Sequence, residues 1–353
     1  ECIPLKSITK PATRCGTITA KESPIPLCVV GCGGYAKIVL DDIHDMTDVV
    51  QLYFASRSPD KAKKYNADYG GSGYFASYEE AAEDPRIKAM YFFTPHDAHV
   101  ESVKLAAQHG KHILLEKPIG RTISEGKEII ETARDANVKL MIAENFRFLP
   151  LIQKSKELIS QGAIGELRMI RTQHEGYDSG AVGGWRSDIE RNGGGRFIDG
   201  GIHYVDMLIY LAGVPEKIYA VTESPKVIPN HEGEDGLMAI LNLPENVTGL
   251  VHYSGGTPIE EHHNWVQITG TTGSLGFDPQ DSKLTLFKMD SKTEIEVGQS
   301  WRGVRGMIKE FQNCITHNRE SSMSGHEGLV DLSVVLAAYR SVQDGNAVEV
   351  PEP

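Results

Sequence analysis

The residues best suited to chemistry are Lys117, Asp199 and His203. Lys117 lies in Leu-Leu-Glu-Lys-Pro-Ile-Gly, residues 114–120, where an apolar run ends in an ion-pairable dipeptide followed by proline. Glutamate and lysine are costly to bury, and proline fixes the backbone where the run stops. The stretch is therefore either a solvated turn or a lysine aimed into a cleft. Asp199 and His203 stand at i, i+4 in a segment whose Ile202, Val205, Leu208 and Ile209 have helical spacing. On a helix they share one face. Histidine is the natural general acid–base near neutral pH. A lone histidine on an apolar helix is more often a packed core residue, and the set of three raises His203 above that. Asp206, one turn on, reads as a structural hydrogen-bonding residue that could also orient His203. The run Gly193-Gly194-Gly195 allows close backbone approach ahead of the helix.

A second chemical pattern precedes these. Gly31-Cys32-Gly33-Gly34-Tyr35-Ala36 follows an apolar run, Ile25 to Val30, and opens an amphipathic stretch. This is the G-x-G-x-x-A form of the dinucleotide fingerprint. The first glycine permits the tight turn, the second lets the pyrophosphate approach the backbone, and the small Ala36 lets helix and strand pack. About 20 residues on, an acid would normally hold the ribose 2′-hydroxyl of NAD. Here the chain reads Ala55-Ser56-Arg57-Ser58, with Lys61 one turn later. Arg57 offers a planar fork for phosphate, and the serines add hydroxyl donors. The pattern favours NADP over NAD. The alternative is an Arg57 that stacks on the adenine of NAD or faces solvent.

Five strands, starting near residues 25, 49, 89, 111 and 138, alternate with helices of ordinary length. That alternation means βαβ units and a parallel sheet, a Rossmann domain over 25–147. Ser58 and Ser124 are candidate N-caps for two of its helices. Residues 148–353 change character: one helix, a series of alternating stretches with Gly, Asn and Asp turns, then two helices. They read as an α+β domain with a large, mostly antiparallel sheet. Residues 1–24 lack periodicity and read as an extended arm.

The bulk properties limit the functions available. The chain has 353 residues and a net charge of −12, so no nucleic-acid-binding surface is indicated globally. No apolar run approaches the roughly 20 residues a membrane span needs. Five scattered cysteines without a C-x-x-C pair argue against zinc and for a reducing, cytoplasmic location. An exported form is the alternative: the chain begins at Glu1, which reads as trimmed, and Cys2 could then pair with Cys15. His96 and His99 have helical ligand spacing but no acid or cysteine to complete a metal site. His99 reads as packing or bonding near the cofactor loop. His262-His263 reads as a solvated loop before a strand, or as a border of the substrate pocket, and Tyr177 and Asp178 lie in a glycine-rich loop, 176–184, that could line the cleft.

Taken together the motifs resemble the glucose–fructose oxidoreductase / inositol dehydrogenase (Gfo/Idh/MocA) family. They include T-P-x-x-x-H at Thr94, Pro95 and His99, and G-K-H-x-x-x-E-K-P from Gly110 to Pro118. Further along come N-x-R-F at Asn145, Arg147 and Phe148, W-R at Trp185 and Arg186, and G-G-G-x-x-x-D-x-G-x-H-x-x-D from Gly193 to Asp206. The resemblance implies a Rossmann domain followed by an open-sheet domain. That sheet's outer face commonly forms the subunit interface, so a homodimer or homotetramer is expected. It implies hydride transfer between NAD(P) and a sugar or cyclitol. Lys117 would reach the nicotinamide ribose and the substrate hydroxyl, with the Lys117–Pro118 bond cis. His203 would exchange the hydroxyl proton, and Asp199 would orient the substrate or the lysine. Thr94, Pro95, His99, Glu116, Asn145, Trp185 and Arg186 join Gly31, Gly33, Gly34, Tyr35, Ala36, Ser56, Arg57 and Lys61 as expected cofactor-binding residues. No metal is expected. A few relatives are glycosidases that use bound NAD for transient oxidation and elimination, which is the alternative activity; a non-catalytic cofactor-binding regulator is a third. In some relatives a longer arm wraps the dinucleotide or the neighbouring subunit, and residues 1–24 are expected to act similarly or to form a disordered leader.

Overall fold

The computed structural model describes residues 23–179, 182–259, 263–298 and 301–353. Residues 1–22 of the expected arm, with Cys2 and Cys15, and His262 lie outside them. The first half runs β1 (Ile25–Val30), α1 (Gly34–Ile43), β2 (Val50–Ala55), α2 (Pro59–Asp68), β3 (Tyr74–Phe75), α3 (Tyr78–Glu83), β4 (Ala89–Phe92), α4 (His99–Gln108), β5 (His112–Leu115), α5 (Ile123–Asp135) and β6 (Leu140–Ile142). The apolar runs of β1, β4 and β5 are almost wholly buried, as central parallel strands must be. The parallel sheet has the order β3-β2-β1-β4-β5-β6. Its order reverses between β1 and β4, and the crevice beyond their C-terminal ends is where such sheets bind ligands. β3 is an addition to the five expected strands; two residues are too short to show a period. The cap of α5 is also different. Thr122, not Ser124, accepts from the Glu125 backbone N–H, at 3.2 Å. Ser58 stands at the N-cap of α2, but its side chain makes no capping bond.

The second half continues with α6 (Pro150–Ser160), β7 (Leu167–Glu175), α7 (Ile189–Asn192), a π-helical turn at Phe197–Gly201, α8 (Ile202–Ala212), β8 (Lys217–Thr222), β9 (Gly236–Leu243) and β10 (Val247–Ser254). Then come β11 (His263–Gly270), β12 (Ser274–Phe277), β13 (Lys283–Lys288), β14 (Ser291–Glu296), α9 (Val304–Thr316), α10 (Gly325–Asp344) and β15 (Val348–Glu349). Among the described residues these strands form one sheet in the order β14-β13-β12-β11-β7-β10-β9-β8-β15. Only the β7–β10 pair is parallel. β9 shows the logic of the sheet. Leu237, Ala239, Leu241 and Leu243 face inward and are buried, whereas Met238 and Ile240 alternate outward. α8 lies on the inner face, over β7 and β10.

The two C-terminal helices, which the sequence assigns to the second domain, return to the first. α9 packs on α1, and α10 packs on α5 and β6. The Ile142 backbone N–H donates to the Met323 carbonyl at 3.0 Å. Arg147 makes the join polar. Its guanidinium donates to Asp206 on α8, with Nε–Oδ1 at 3.0 Å, and to the Ser322 carbonyl at 2.6 Å. No helix among the described residues is long and apolar enough to cross a membrane.

Candidate active site

The fingerprint closes the β1–α1 turn. Gly31 has φ +101°, and a Cβ there would lie 3.1 Å from the Phe93 carbonyl oxygen. Gly33 and Gly34 are different: a Cβ at either would meet no protein atom within 4 Å. Packing among the described residues does not demand glycine there, and the backbone is left open to close approach by a ligand. α1 carries no side-chain cap, so its first N–H groups remain available to an anion. Ala36 is fully buried beneath the turn. These residues fit a dinucleotide pyrophosphate.

Beyond β2, Arg57 is exposed and lies beside Tyr78. Both line a cleft of about 520 Å³ shared with Thr94, Pro95, Lys104 and Arg191. Ser56 is buried, and its Oγ accepts from the Ser58 N–H at 3.2 Å. Lys61 is exposed on the first turn of α2, near Cys32.

The Lys117–Pro118 bond is cis, as expected. Lys117 is 9% exposed, so the solvated-turn reading falls. Its Nζ donates to the Asp199 backbone carbonyl and stands 3.3 Å from Oδ1 of the same residue. Asp199 draws other cations too. Arg186 Nε is 3.2 Å from Oδ2, the Arg196 guanidinium bonds the same oxygen, and His96 Nε2 lies 4.0 Å from Oδ1. Burial alone would raise the Asp199 pKa, but Lys117, Arg196, Arg186 and His96 together hold it well below the usual carboxylate range. A small cavity of about 60 Å³ opens here, lined among others by Tyr35, His96, Glu116, Lys117, Trp185 and Asp199. The Arg186 guanidinium lies over the Trp185 ring, and Trp185 meets His96 edge-on at 4.6 Å.

Asp199 and His203 do not share a partner. The π-helical turn at Phe197–Gly201 separates Asp199 from α8, so the i, i+4 face expected of a regular α-helix is not formed. The close contact that forces this region together is at Gly200, where a Cβ would lie 2.0 Å from the Tyr253 hydroxyl. His203 turns to Glu144 instead. Its Nδ1 is 2.5 Å from Glu144 Oε1, and its ring stacks on Phe146 with centroids 4.4 Å apart and planes 15° apart. Burial lowers the His203 pKa, Glu144 opposes that, and Lys117 reinforces it. Asp206 is committed to Arg147, which bears out its structural reading.

Other expected residues are placed as follows. His99 is fully buried and does not reach the cleft. Its ring nitrogens face the carbonyl oxygens of Pro118, at 3.0 Å, and Thr94, at 3.2 Å. Burial pushes its pKa down to about 4. It braces the loops after β4 and β5, the bonding near the cofactor loop that the sequence suggests. Asn145 is buried and donates to the Arg302 carbonyl. Asp178 pairs with Arg196, which also reaches Asp199, so Asp178 is tied to the cavity. The inner face of the large sheet adds a row that the sequence reading missed: Tyr253, His174 and Asn264 are cross-strand neighbours. The His174 and Tyr253 rings stack at 4.8 Å, and the Tyr204 hydroxyl donates to Asn264 at 3.1 Å. Glu144, His96 and Arg196 are the other residues not singled out from sequence as parts of the site. A buried acid beside the N-x-R-F motif was the one available signal for Glu144.

Comparison with known proteins agrees with this geometry. Residues 25–144 match the family described as "Oxidoreductase family, NAD-binding Rossmann fold", and residues 152–276 match "GFO/IDH/MocA C-terminal domain". The chain is similar to the 1,5-anhydro-D-fructose reductase of Ensifer adhaerens, at 27% identity over 84% of this chain and 89% of that protein. It is similar to the NADP(+) D-xylose 1-dehydrogenase of Haloarcula marismortui, at 25% identity over 94% of this chain and 95% of that one. Among solved structures, an aldose-aldose oxidoreductase from Caulobacter crescentus, complexed with glycerol, superposes with a TM-score of 0.84 at 25% identity, covering 92% of this chain and 99% of that one.

Glu116 generates a prediction. It is 6% exposed and accepts from the Tyr91 hydroxyl at 2.7 Å. Burial outweighs Lys117 and Tyr91 and raises its pKa from 4.5 to about 7. Between those values the folded chain holds a proton that the unfolded chain has lost, so stability falls as pH rises through this window. The difference corresponds to about 3 kcal/mol. Glu116→Gln should remove this component. Urea unfolding at pH 4.5 and pH 8 should show a smaller loss of stability in the variant than in the parent; an identical loss would rule out Glu116 as its source.

Proposed function

The chain belongs to the Gfo/Idh/MocA oxidoreductases, and from that premise we propose that it transfers hydride between NADP and a hydroxyl or keto carbon of a sugar or cyclitol. The observation that carries the reading is the gathering of Lys117 and Asp199 around one cavity at the β1–β4 switch point, with His203 within their electrostatic reach. The names of the relatives, a sugar reductase and a sugar dehydrogenase, support the substrate class. Bound dinucleotide supplies the hydride acceptor or donor. The Gly31–Ala36 turn would hold its pyrophosphate, Thr94 and Pro95 its adenosine side, and Tyr35, Glu116, Lys117, Asn145, Trp185 and Arg186 its nicotinamide side. Ser56, Arg57 and Lys61 would hold the 2′-phosphate, and the lack of an acid at 56–58 supports NADP.

In oxidation His203 takes the hydroxyl proton at Nε2. Lys117 holds the substrate oxygen and favours the negative charge that develops on it. Asp199 holds the lysine rather than the substrate, since its own oxygens already face Lys117, Arg186 and Arg196. The sheet's outer face supports self-association. Cross-strand pairing lines up Val221, Met238, His252, Gln173 and Trp265. Tyr219, Val221, Met238, Ile240 and Trp265 are 41–51% exposed there, a patch of the kind that marks an interaction site. The buried thiols Cys28, Cys32 and Cys314 support a reducing, cytoplasmic compartment.

Three outcomes are expected. Arg57→Asp should weaken NADP binding by about tenfold or more, since a charged hydrogen bond contributes about 1.5–3 kcal/mol, while NAD binding holds or improves. Equal weakening of both in fluorescence titration would remove Arg57 as the phosphate reader. In a screen of sugars, cyclitols and their keto forms followed at 340 nm, Lys117→Ala and His203→Ala should each lower kcat by about 10²–10⁴-fold, the worth of acid–base catalysis. His203→Ala should leave dinucleotide affinity unchanged, and near-normal turnover in it would overturn the mechanism. Ile240→Glu should lower the mass seen by sedimentation without altering dinucleotide affinity; an unchanged mass would place the contact elsewhere.

A further inference from the structure

We propose that Glu144, and not either acid of the catalytic segment, is the positioning residue of His203, holding the imidazole in the tautomer that accepts the substrate proton at Nε2. The inference rests on the reading of His203 as the proton acceptor.

Three acids lie near His203, and the structure assigns each a different role. Asp199 is held by Lys117, Arg186 and Arg196. Asp206 is held by Arg147. Glu144, fully buried, contacts the His203 Nδ1 at 2.5 Å. The carboxylate is itself fixed, because the Phe146 backbone N–H donates to the same Oε1 at 3.2 Å. The Phe146 ring then covers the face of the imidazole. One short loop thus holds His203 by an edge and by a face. Among the described residues Glu144 Oε2 is buried without a hydrogen-bond partner, an arrangement that costs stability.

A carboxylate only accepts hydrogen bonds. Nδ1 therefore carries the proton, and Nε2 keeps its lone pair, the same logic by which a buried acid orients a histidine base in other enzymes. In oxidation the substrate O–H bond breaks and its proton bonds to Nε2. The C–H bond breaks with its electron pair, which leaves as hydride to the dinucleotide, and a C=O bond forms. Glu144 remains a carboxylate and stabilises the imidazolium. In reduction Nε2–H returns the proton.

The charged surroundings make the effect readable. His203 faces Lys117 and Asp199 besides Glu144. Glu144 also faces Arg147 in its own loop, Asp206 on α8, Asp331 on α10, and Tyr35 and Glu116 in the first domain. Removing the negative charge of Glu144 removes an upward influence on the His203 pKa, so that pKa falls. The acid limb of oxidation then moves to lower pH, and reduction, which needs protonated His203, is lost on the alkaline side from a lower pH than in the parent.

The test uses Glu144→Gln and Glu144→Ala in the full chain. Histidine ¹⁵N spectra should show Nδ1–H as the single neutral tautomer in the parent. The His203 pKa should be lower in both variants by about one unit, consistent with loss of one nearby charge. Glu144→Gln, which keeps an acceptor for Nδ1–H, should lose about tenfold in kcat. Glu144→Ala should lose more, toward the 10²–10⁴-fold range of lost acid–base catalysis. KM and dinucleotide affinity should hold in both. If Glu144→Ala does not fold, Glu144→Gln alone decides. An unchanged His203 pKa and tautomer in Glu144→Gln would overturn the assignment of Glu144. If instead His203→Ala turns over normally, it is the reading of His203 that fails, and with it any role for Glu144 through that ring.

Discussion

The Asp199 carboxylate is the charge around which the two halves of the molecule are arranged. A carboxylate this deeply buried is costly unless it is paired. Its partners come from separate pieces of chain: His96 after β4, Lys117 after β5, Arg186 after the glycine-rich loop, and Arg196 beside the π-helical turn. Breaking a buried pair by removing one partner typically costs about 3–5 kcal/mol, because the other charge is left unsatisfied. The pairs therefore specify an arrangement more than they add stability. They bring the ends of β4 and β5 against the start of α8, and the cavity is what remains between them. Asp206 repeats the device one layer deeper, where Arg147 joins α8 to the turn that precedes α10.

The division of labour between Asp199 and Glu144 follows from the same constraint. A carboxylate facing several cations is a poor orienter for a neutral imidazole, because its oxygens are already engaged. His203 has to find its partner on another element. The π-helical turn makes this possible: it offsets α8 from Asp199, and α8 then presents His203 to the loop after β6. Phe146 in that loop supplies the stacking surface, and its neighbour Arg147 reaches Asp206. Four consecutive residues, Glu144 to Arg147, thereby serve the histidine, the neighbouring loop and the inter-domain pair at once.

The large sheet serves two environments with one alternation. Its inner face carries Tyr253, His174 and Asn264 toward α8, where the Tyr204 hydroxyl completes the cluster. Its outer face carries apolar side chains that remain exposed in the single chain. A one-residue slip would exchange the two sets. Buried leucines on the inner face of β9 keep the register.

The sequence by itself determined what depends on local pattern. Strand–helix alternation specified the parallel sheet. Gly31 to Ala36 marked its turn, and the proline after Lys117 marked a lysine that does enter the cleft. The motifs identified the family and the order of the two domains. What it did not reveal depends on partners far apart in the chain. Glu144 and His203 are separated by 59 positions, and nothing in their spacing announces the contact. The i, i+4 spacing of Asp199 and His203 suggested a shared face, because a π-helical turn has no periodic signature. His99 carried a family motif yet faces two carbonyls. β3 was too short to show a period, and α9 and α10 pack on a domain encoded more than a hundred residues earlier. Period, turn chemistry and apolar spacing are written locally. Which buried charge meets which is settled only when closure of the chain forces each to find a partner.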